Sequence, residues 1–320
     1  MANINYVRNK SNGVIRTIFR KLESLNLKYY YFECGVILMN AMLRSTIYYA
    51  SETYYDMKEN EIRKLERMEE MFLRKLFNTS KGCPISMLYL EAGIVPGRFE
   101  ITKTRLLYLK YILKQKEESR LYQFFKAQLS KPEKRDWVTS CQKNIEDLNL
   151  NMTMEEMKNM KESKFRKILK EKIRIKALEY LTEKTKSKGK EIKNEKLHMA
   201  DYLLPFSKNL TIIEKQEVFA MRTKMTNIPS NFKTTKELNK CICDQPENMS
   251  HIYACEKLDS EKITTKYDTI YGDNIENIKK VYERFRRNMK KRETLLKEKS
   301  HETYNIGPLL SVHCIVNVNG

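Results

Sequence analysis

The stretch 59–77, ENEIRKLERMEEMFLRKLF, decides the fold class. Ile62, Leu65, Met68 or Glu69, Phe72, Leu73 and Leu76 recur three and four residues apart, so a helix gathers them on one face. Glu59, Lys64, Glu66, Arg67 and Glu70 mark the opposite face. Working outward, the pattern breaks at Thr79–Pro84, where Gly82 and Pro84 fall. A short helix is predicted over Ile85–Ala92, with Gly93 suited to a C-terminal cap. Pro96 and Gly97 make a turn, and Phe99–Lys116 reads as a second amphipathic helix through Ile101, Leu106, Leu109, Ile112 and Leu113. Leu121–Leu129 continues in helical style until Pro132, just ahead of the single tryptophan, Trp137. Upstream, Val14, Ile15, Ile18, Phe19, Leu22 and Leu25 predict a helix over 14–28. Tyr29–Tyr55 reads as one long helical stretch whose aromatic stripe belongs to a core. With 9 Gly and 7 Pro in 320 residues, breakers are few, and the chain is expected to be mainly α.

The second half changes character. Methionines 152, 154, 157 and 160 alternate with Glu and Lys. Residues 164–176, KFRKILKEKIRIK, form a basic amphipathic helix with Phe165, Ile168, Leu169 and Ile173 inside. Thr182–Lys196 has almost no apolar anchor and reads as a flexible linker, where a domain boundary is placed. Residues 275–299 form a basic helix, with Ile278, Val281, Phe285 and Met289 set against Lys279, Lys280, Arg284, Arg286, Arg287, Lys290, Lys291 and Arg292. The tail Ile306–Gly320 is apolar and β-prone and is expected to pack as an edge strand or extended segment. The organisation expected is a helical region at 1–150, a basic helix and linker at 151–200, a Cys/His module at 201–260, and a basic helix with an apolar tail at 261–320. No fixed-period repeat is present.

The net charge is +20, from 61 Lys and Arg against 41 Asp and Glu. Nucleic acid is the commonest partner of such an excess and an anionic membrane surface the next; a solvated basic helical protein is the bland alternative. The most apolar run, Cys34–Leu43, is ended by Arg44, well short of the roughly 20 residues that cross a bilayer. No membrane partner is expected. The polar start at Met1–Lys10 has no signal-peptide core, so a reducing, intracellular setting, nuclear or cytoplasmic, is expected. There, clustered cysteines bind metal more often than they pair.

One cluster of this kind occurs: CICDQPENMSHIYAC, residues 241–255. Cys241, Cys243, His251 and Cys255 make a complete tetrahedral ligand set for a structural zinc, leaving no position open for a catalytic water. Asp244–Pro246 is turn-forming, and His251 and Cys255 are four apart, on one face if helical. The single residue between Cys241 and Cys243 is one fewer than zinc knuckles usually have. A chance group of free thiols is the alternative. His198, His301 and His313 have no ligand-spaced neighbours apart from Cys314 beside His313, an arrangement that chelates poorly. Cys34, Cys83 and Cys141 are expected to act as small buried hydrophobes. The chain has no phosphate-cradling glycine loop, no Gly-x-Ser-x-Gly elbow and no Tyr/Phe-x-Asp-Asp strand motif, so no catalytic centre is expected.

An ordered set of segments resembles a known family. NAMLRSTIYYASE (40–52), IRKLERMEEMFLRKL (62–76), PISMLYLEAG (84–93), RLLYLKYIL (105–113), Asp136–Trp137, FAMRTKM (219–225), Asn231–Phe232 and the Cys/His cluster with Glu247 resemble the C-terminal region of LINE-like, jockey-type non-LTR retrotransposon reverse transcriptases. The resemblance implies a helical thumb and connector bundle, then a CCHC zinc knuckle contacting RNA or DNA, then a basic helix. It implies that the polymerase palm lies upstream of Met1 in the parent polyprotein, so these residues alone are not expected to be an enzyme. Phosphate contacts are expected from Lys164, Arg166, Lys167, Lys170 and Arg174, from Arg222 and Lys224, and from Arg284, Arg286, Arg287, Lys290, Lys291 and Arg292. Tyr253 and Phe232 are placed either to stack on bases or to pack around the metal. The competing readings are a helical scaffold with incidental cysteines, a non-functional element remnant, and a polymerase subunit completed by another chain.

Overall fold

The computed structural model describes residues 4–27, 30–54, 57–79, 81–133, 136–186, 210–223, 225–226, 240–271 and 274–303. Among them all regular elements are helices, and the only strand-like pairing is one antiparallel bridge between Lys240 and Pro246. The fold is mainly α. The chain divides into two compact units, Met1–Thr226 and Asn227–Gly320. The β-prone tail expected at Ile306–Gly320 lies outside the described residues.

In the first unit, α1 (Ile4–Ser24) buries Ile15, Ile18, Phe19 and Leu22. It packs on α3 (Glu59–Leu76), the helix that decides the fold, where Leu65, Met68, Phe72, Leu73 and Leu76 are buried. The rings of Phe19 and Phe72 sit 5.1 Å apart. The Glu61 carboxylate closes the start of α3 by accepting from the Lys58 backbone N–H at 2.9 Å. α4 (Ile85–Ala92) ends on Gly93 with φ 66°, the left-handed cap that only glycine adopts without penalty. α5 (Gly97–Leu113) is the central helix, touching α3, α6 (Arg120–Ser130), α7 (Trp137–Asp147), α8 (Met154–Asn159) and α9 (Glu162–Lys186). Its start approaches Tyr48 so closely that a Cβ at Gly97 would fall 1.6 Å from the Tyr48 hydroxyl. Because α5 is surrounded, it buries Arg105 and Lys110 along with its leucines. The Lys110 ammonium donates to the carbonyls of Met157 and Met160, at 2.5 and 2.6 Å, closing the end of α8.

Three expectations are corrected. The stretch 29–55 is not one helix. α2 (Tyr31–Leu38) passes into a π-helical turn, Met39–Arg44, then a short helix at Ser45–Ile47, and the run ends at Ala50 with φ 56°. The widened turn directs Met39, Leu43 and Arg44 inward together. Next, Thr182–Lys186, read as the start of a linker, is the last turn of α9. Phe165, Leu169, Ile173, Ala177 and Leu181 repeat every four residues as its buried ridge, and Thr185 donates to Ser86 at 2.6 Å. The rest of the expected linker lies outside the described residues. Finally, α10 (Ile212–Arg222), placed by sequence in the Cys/His module, belongs to the first unit. Phe219 packs 4.6 Å from Phe77, and Arg222 pairs with Glu91 at 2.7 Å.

The core also holds charge. Glu69, in the middle of α3, has no solvent exposure; it accepts from Arg44 at 2.8 Å and from the Tyr89 hydroxyl at 2.8 Å. Removing the carboxylate strands a buried guanidinium. Glu69→Ala is expected to cost about 3–5 kcal/mol in urea unfolding; a loss well under that range would mean water reaches Arg44.

Asp136 caps α7, accepting from the backbone N–H of Thr139 at 2.5 Å and of Glu133 at 2.8 Å. Burial pushes its carboxyl up, but these donors together outweigh burial and hold it below the ordinary aspartate value. Its ionised form is favoured by folding. The stability it contributes is therefore complete above about pH 4 and is lost as pH falls through the lower folded value. Asp136→Ala is expected to be about 1 kcal/mol less stable at neutral pH, with the gap closing in acid. Urea unfolding over a pH series checks this, and a gap independent of pH would contradict it.

Candidate metal centre

The second unit is built around residues 240–271 and the long helix α12 (Ile275–Thr303). The chain reverses at Asp244, whose φ of 66° is accepted because a short polar side chain tolerates the left-handed region. Cys241 N–H donates to the Gln245 carbonyl at 2.9 Å and Asp244 N–H to the Cys241 carbonyl at 2.8 Å, which closes the turn and sets Cys241 and Cys243 side by side. Asn248 then caps α11 (Met249–Ala254), its side chain accepting from the His251 N–H at 2.8 Å. α11 carries His251 and stops at Ala254. Cys255 follows at the cap with extended backbone, φ −70° and ψ 113°, rather than one helical turn beyond His251 as the spacing alone suggests.

These elements bring the four residues together. The ligand atoms of Cys241, Cys243, His251 and Cys255 all lie within 4.8 Å of one another. Cys255 Sγ is 3.7 Å from both Cys241 Sγ and Cys243 Sγ, and Cys243 Sγ is 3.2 Å from His251 Nε2. Cys241 and Cys255 are buried, while Cys243 and His251 are partly open to solvent. Such a set can hold a metal ion. Burial pushes the Cys241 thiol up to about 12. Burial opposes ionisation of Cys243 as well, but the Gln245 backbone and the neighbouring thiols hold it below the ordinary thiol value. A bound cation would favour ionisation of all three.

α12 locks this loop by a row of polar side chains, two of which, Arg284 and Arg292, sequence inspection set against its apolar face. Arg284, Asn288 and Arg292 are four residues apart and all buried. The Arg284 guanidinium donates to the carbonyls of Tyr253 at 3.0 Å and Asp259 at 3.1 Å. Asn288 donates to Ile252 at 2.7 Å and Tyr253 at 3.2 Å, satisfying the open end of α11. Arg292 forms a two-pronged pair with the fully enclosed Glu247, inside the ligand loop. A polar repeat of four running beside the apolar residues Ile278, Val281 and Phe285 was the available signal. Tyr253 is buried; it donates to Thr265 and packs 5.7 Å from Tyr267, so it serves the core and is not open for stacking. Phe232 lies outside the described residues.

The residues expected to meet phosphate separate into two groups. Lys164, Arg166, Lys167, Lys170 and Arg174 are exposed on α9, and Arg286, Arg287, Lys290 and Lys291 are exposed on α12. Arg287 is paired with Asp259 and Glu261, and Arg286 lies 5.9 Å over the Tyr282 ring. Arg222, Arg284 and Arg292 are instead buried against Glu91, the carbonyls of Tyr253 and Asp259, and Glu247, which removes them from any ligand surface. Lys224, His198 and His313 lie outside the described residues, as does the side chain of His301. Cys83 and Cys141 are buried and Cys34 is partly buried. No helix among the described residues is long and apolar enough to cross a membrane. No family model, curated protein or solved structure matches the chain.

Glu247→Ala leaves Arg292 buried without its carboxylate. Amide hydrogen exchange over 247–255 in the full chain is expected to accelerate by at least about tenfold while the first unit is unchanged, a loss of about 1.4 kcal/mol or more in local opening. Unaltered exchange there would show that the loop does not depend on α12.

Proposed function

We propose that Cys241, Cys243, His251 and Cys255 hold a structural zinc ion, and that the chain is a nucleic-acid-binding C-terminal region of a non-LTR retrotransposon reverse transcriptase. The convergence of the four ligand atoms carries the zinc reading. Thiolates about 2.3 Å from zinc in a tetrahedron are about 3.8 Å apart, close to the 3.7 Å between Cys255 and each of its thiol neighbours. A shorter zinc–nitrogen bond gives a sulfur–nitrogen edge of about 3.6 Å, so the 3.2 Å between Cys243 and His251 needs only a small outward adjustment. Three soft sulfurs and an imidazole suit zinc, and four protein ligands leave no place for a reactive water. The ion's part is to hold the loop closed on α12.

Support for nucleic acid comes from the +20 charge and from where the cations stand. Lys279, Lys280, Lys290 and Lys291 lie along the solvent face of α12, on the helix that clamps the ligand loop. Contacts of this kind read no sequence and fall steeply with salt. The chain has no paired aspartates of a polymerase strand motif, so the proposal assigns it binding and no reaction.

The test is zinc content together with binding of a generic single-stranded RNA, in the parent and in a Cys243→Ser, His251→Ala double variant. One zinc per parent chain, little in the variant, weaker RNA binding by the variant and loss of α11 structure on chelation are expected. A parent that purifies without metal and keeps its fold in chelator would exclude the zinc. A metal-loaded parent that fails to bind RNA or DNA at low salt would leave a helical interaction protein.

A further inference from the structure

The first unit contains a cleft of about 770 Å³ that the metal-centred reading leaves unused. Its volume lies within the roughly 300–1,000 Å³ of ligand sites. One wall is α9. Arg166, Lys170 and Arg174 stand on it at intervals of four, about 6 Å apart along the axis, and all three are exposed. Lys103 on α5 and Arg44 of the π-helical turn line it as well. The lining thus has five cationic side chains and one carboxylate, Glu100. Arg44 is held by Glu69 and Lys103 by Glu100, and the other three of the five cations stand along α9. The Arg166–Glu162 pair there is exposed on both sides, a kind worth about 0–1 kcal/mol and readily exchanged for a phosphate.

Between the walls the floor is apolar: Val95 and Leu107 are partly open there, above Ile94, Leu169 and Ile173, which are almost wholly covered. Asn40 and Ser45, exposed on either side of Arg44 in and after the π turn, add hydrogen-bonding groups at its edge. Widened turns of this kind recur at functional sites. A row of cations beside an apolar strip matches a ligand with a regular anionic edge and flat apolar faces. A duplex shows its phosphates but hides its base faces in the stack, whereas a single strand offers both.

We propose that this cleft seats a short stretch of single-stranded nucleic acid, its phosphates along Arg166, Lys170 and Arg174 and its bases against the partly open Val95 and Leu107. The inference rests on the nucleic-acid reading above but places the strand in the first unit, independently of the metal.

The test uses the full chain and a fluorescent oligouridine of about 10 residues, a span within known single-strand site sizes. Lys170→Gln, Arg174→Gln is compared with Lys290→Gln, Lys291→Gln on the solvent face of α12; all four residues are exposed, so both variants should melt as the parent does. The cleft variant is expected to bind at least about tenfold more weakly, with the salt dependence of log K flattened by about 1.4, from two phosphate contacts at about 0.7 each. Oligouridine should also shield Lys170 from acetylation, and a duplex of equal length should compete poorly. If only the α12 variant loses binding, or if duplex competes equally, the cleft assignment is overturned and the nucleic-acid reading survives. If the parent binds no oligonucleotide at low salt, both fall. Parallel measurements with oligothymidine separate RNA from DNA as the preferred strand.

Discussion

A carboxylate with no exposure, Glu69, organises the first unit. An ionised carboxyl in a dry interior is tolerated only if it is paired and fully hydrogen-bonded, and here Arg44 and Tyr89 satisfy it from two different elements. That requirement reaches outward. Arg44 must point inward from the helix that carries it, and the π-helical turn at Met39–Arg44 achieves this while keeping Met39 and Leu43 in the core. Arg44 also donates to the Val95 carbonyl, which ties the turn following Gly93 to the same point. The part of the cleft lined by Arg44 and Val95 is therefore fixed by a buried ion pair.

The second unit solves a different problem. Its described core is small, with Ile252, Tyr253, Leu258, Ile278, Val281 and Phe285 among its buried residues. Small cores rarely stabilise themselves without help from metal, disulfide or partner. Two features bear on this. The four ligand residues converge at the loop, and Arg284, Asn288 and Arg292 satisfy the carbonyls and carboxylate that the loop leaves open. The ligand cage and the polar row meet at Glu247, which lies between Cys243 and His251 in sequence and bonds to α12 in space. A metal ion held by the cluster would thus be linked to the docking of α12 through one short segment.

Much of this is legible in the amino-acid order. The 59–77 periodicity, the Gly93 cap and the four-ligand spacing each rest on local rules, since helical repeat, left-handed backbone and turn chemistry involve residues close in sequence. Other features have no local signature. Glu69 is one of two candidates for a core position, and nothing nearby shows that Arg44 reaches it from another helix. Lys110 looks like a surface lysine until α8 presents two carbonyls to it.

By itself, the sequence determined that the chain is mainly helical, that charge favours an anionic partner, and that four residues in fifteen form a possible ligand set. Only the tertiary structure decided which cations face water. Arg222, Arg284 and Arg292 are chemically the same as Arg166, Arg174 and Arg287, yet the first three are buried against Glu91, α11 and Glu247, and the others are exposed. A guanidinium's pairing depends on groups brought near by distant segments; the four-residue polar repeat of α12 marks Arg284 and Arg292 as set beside the apolar face but does not name their partners.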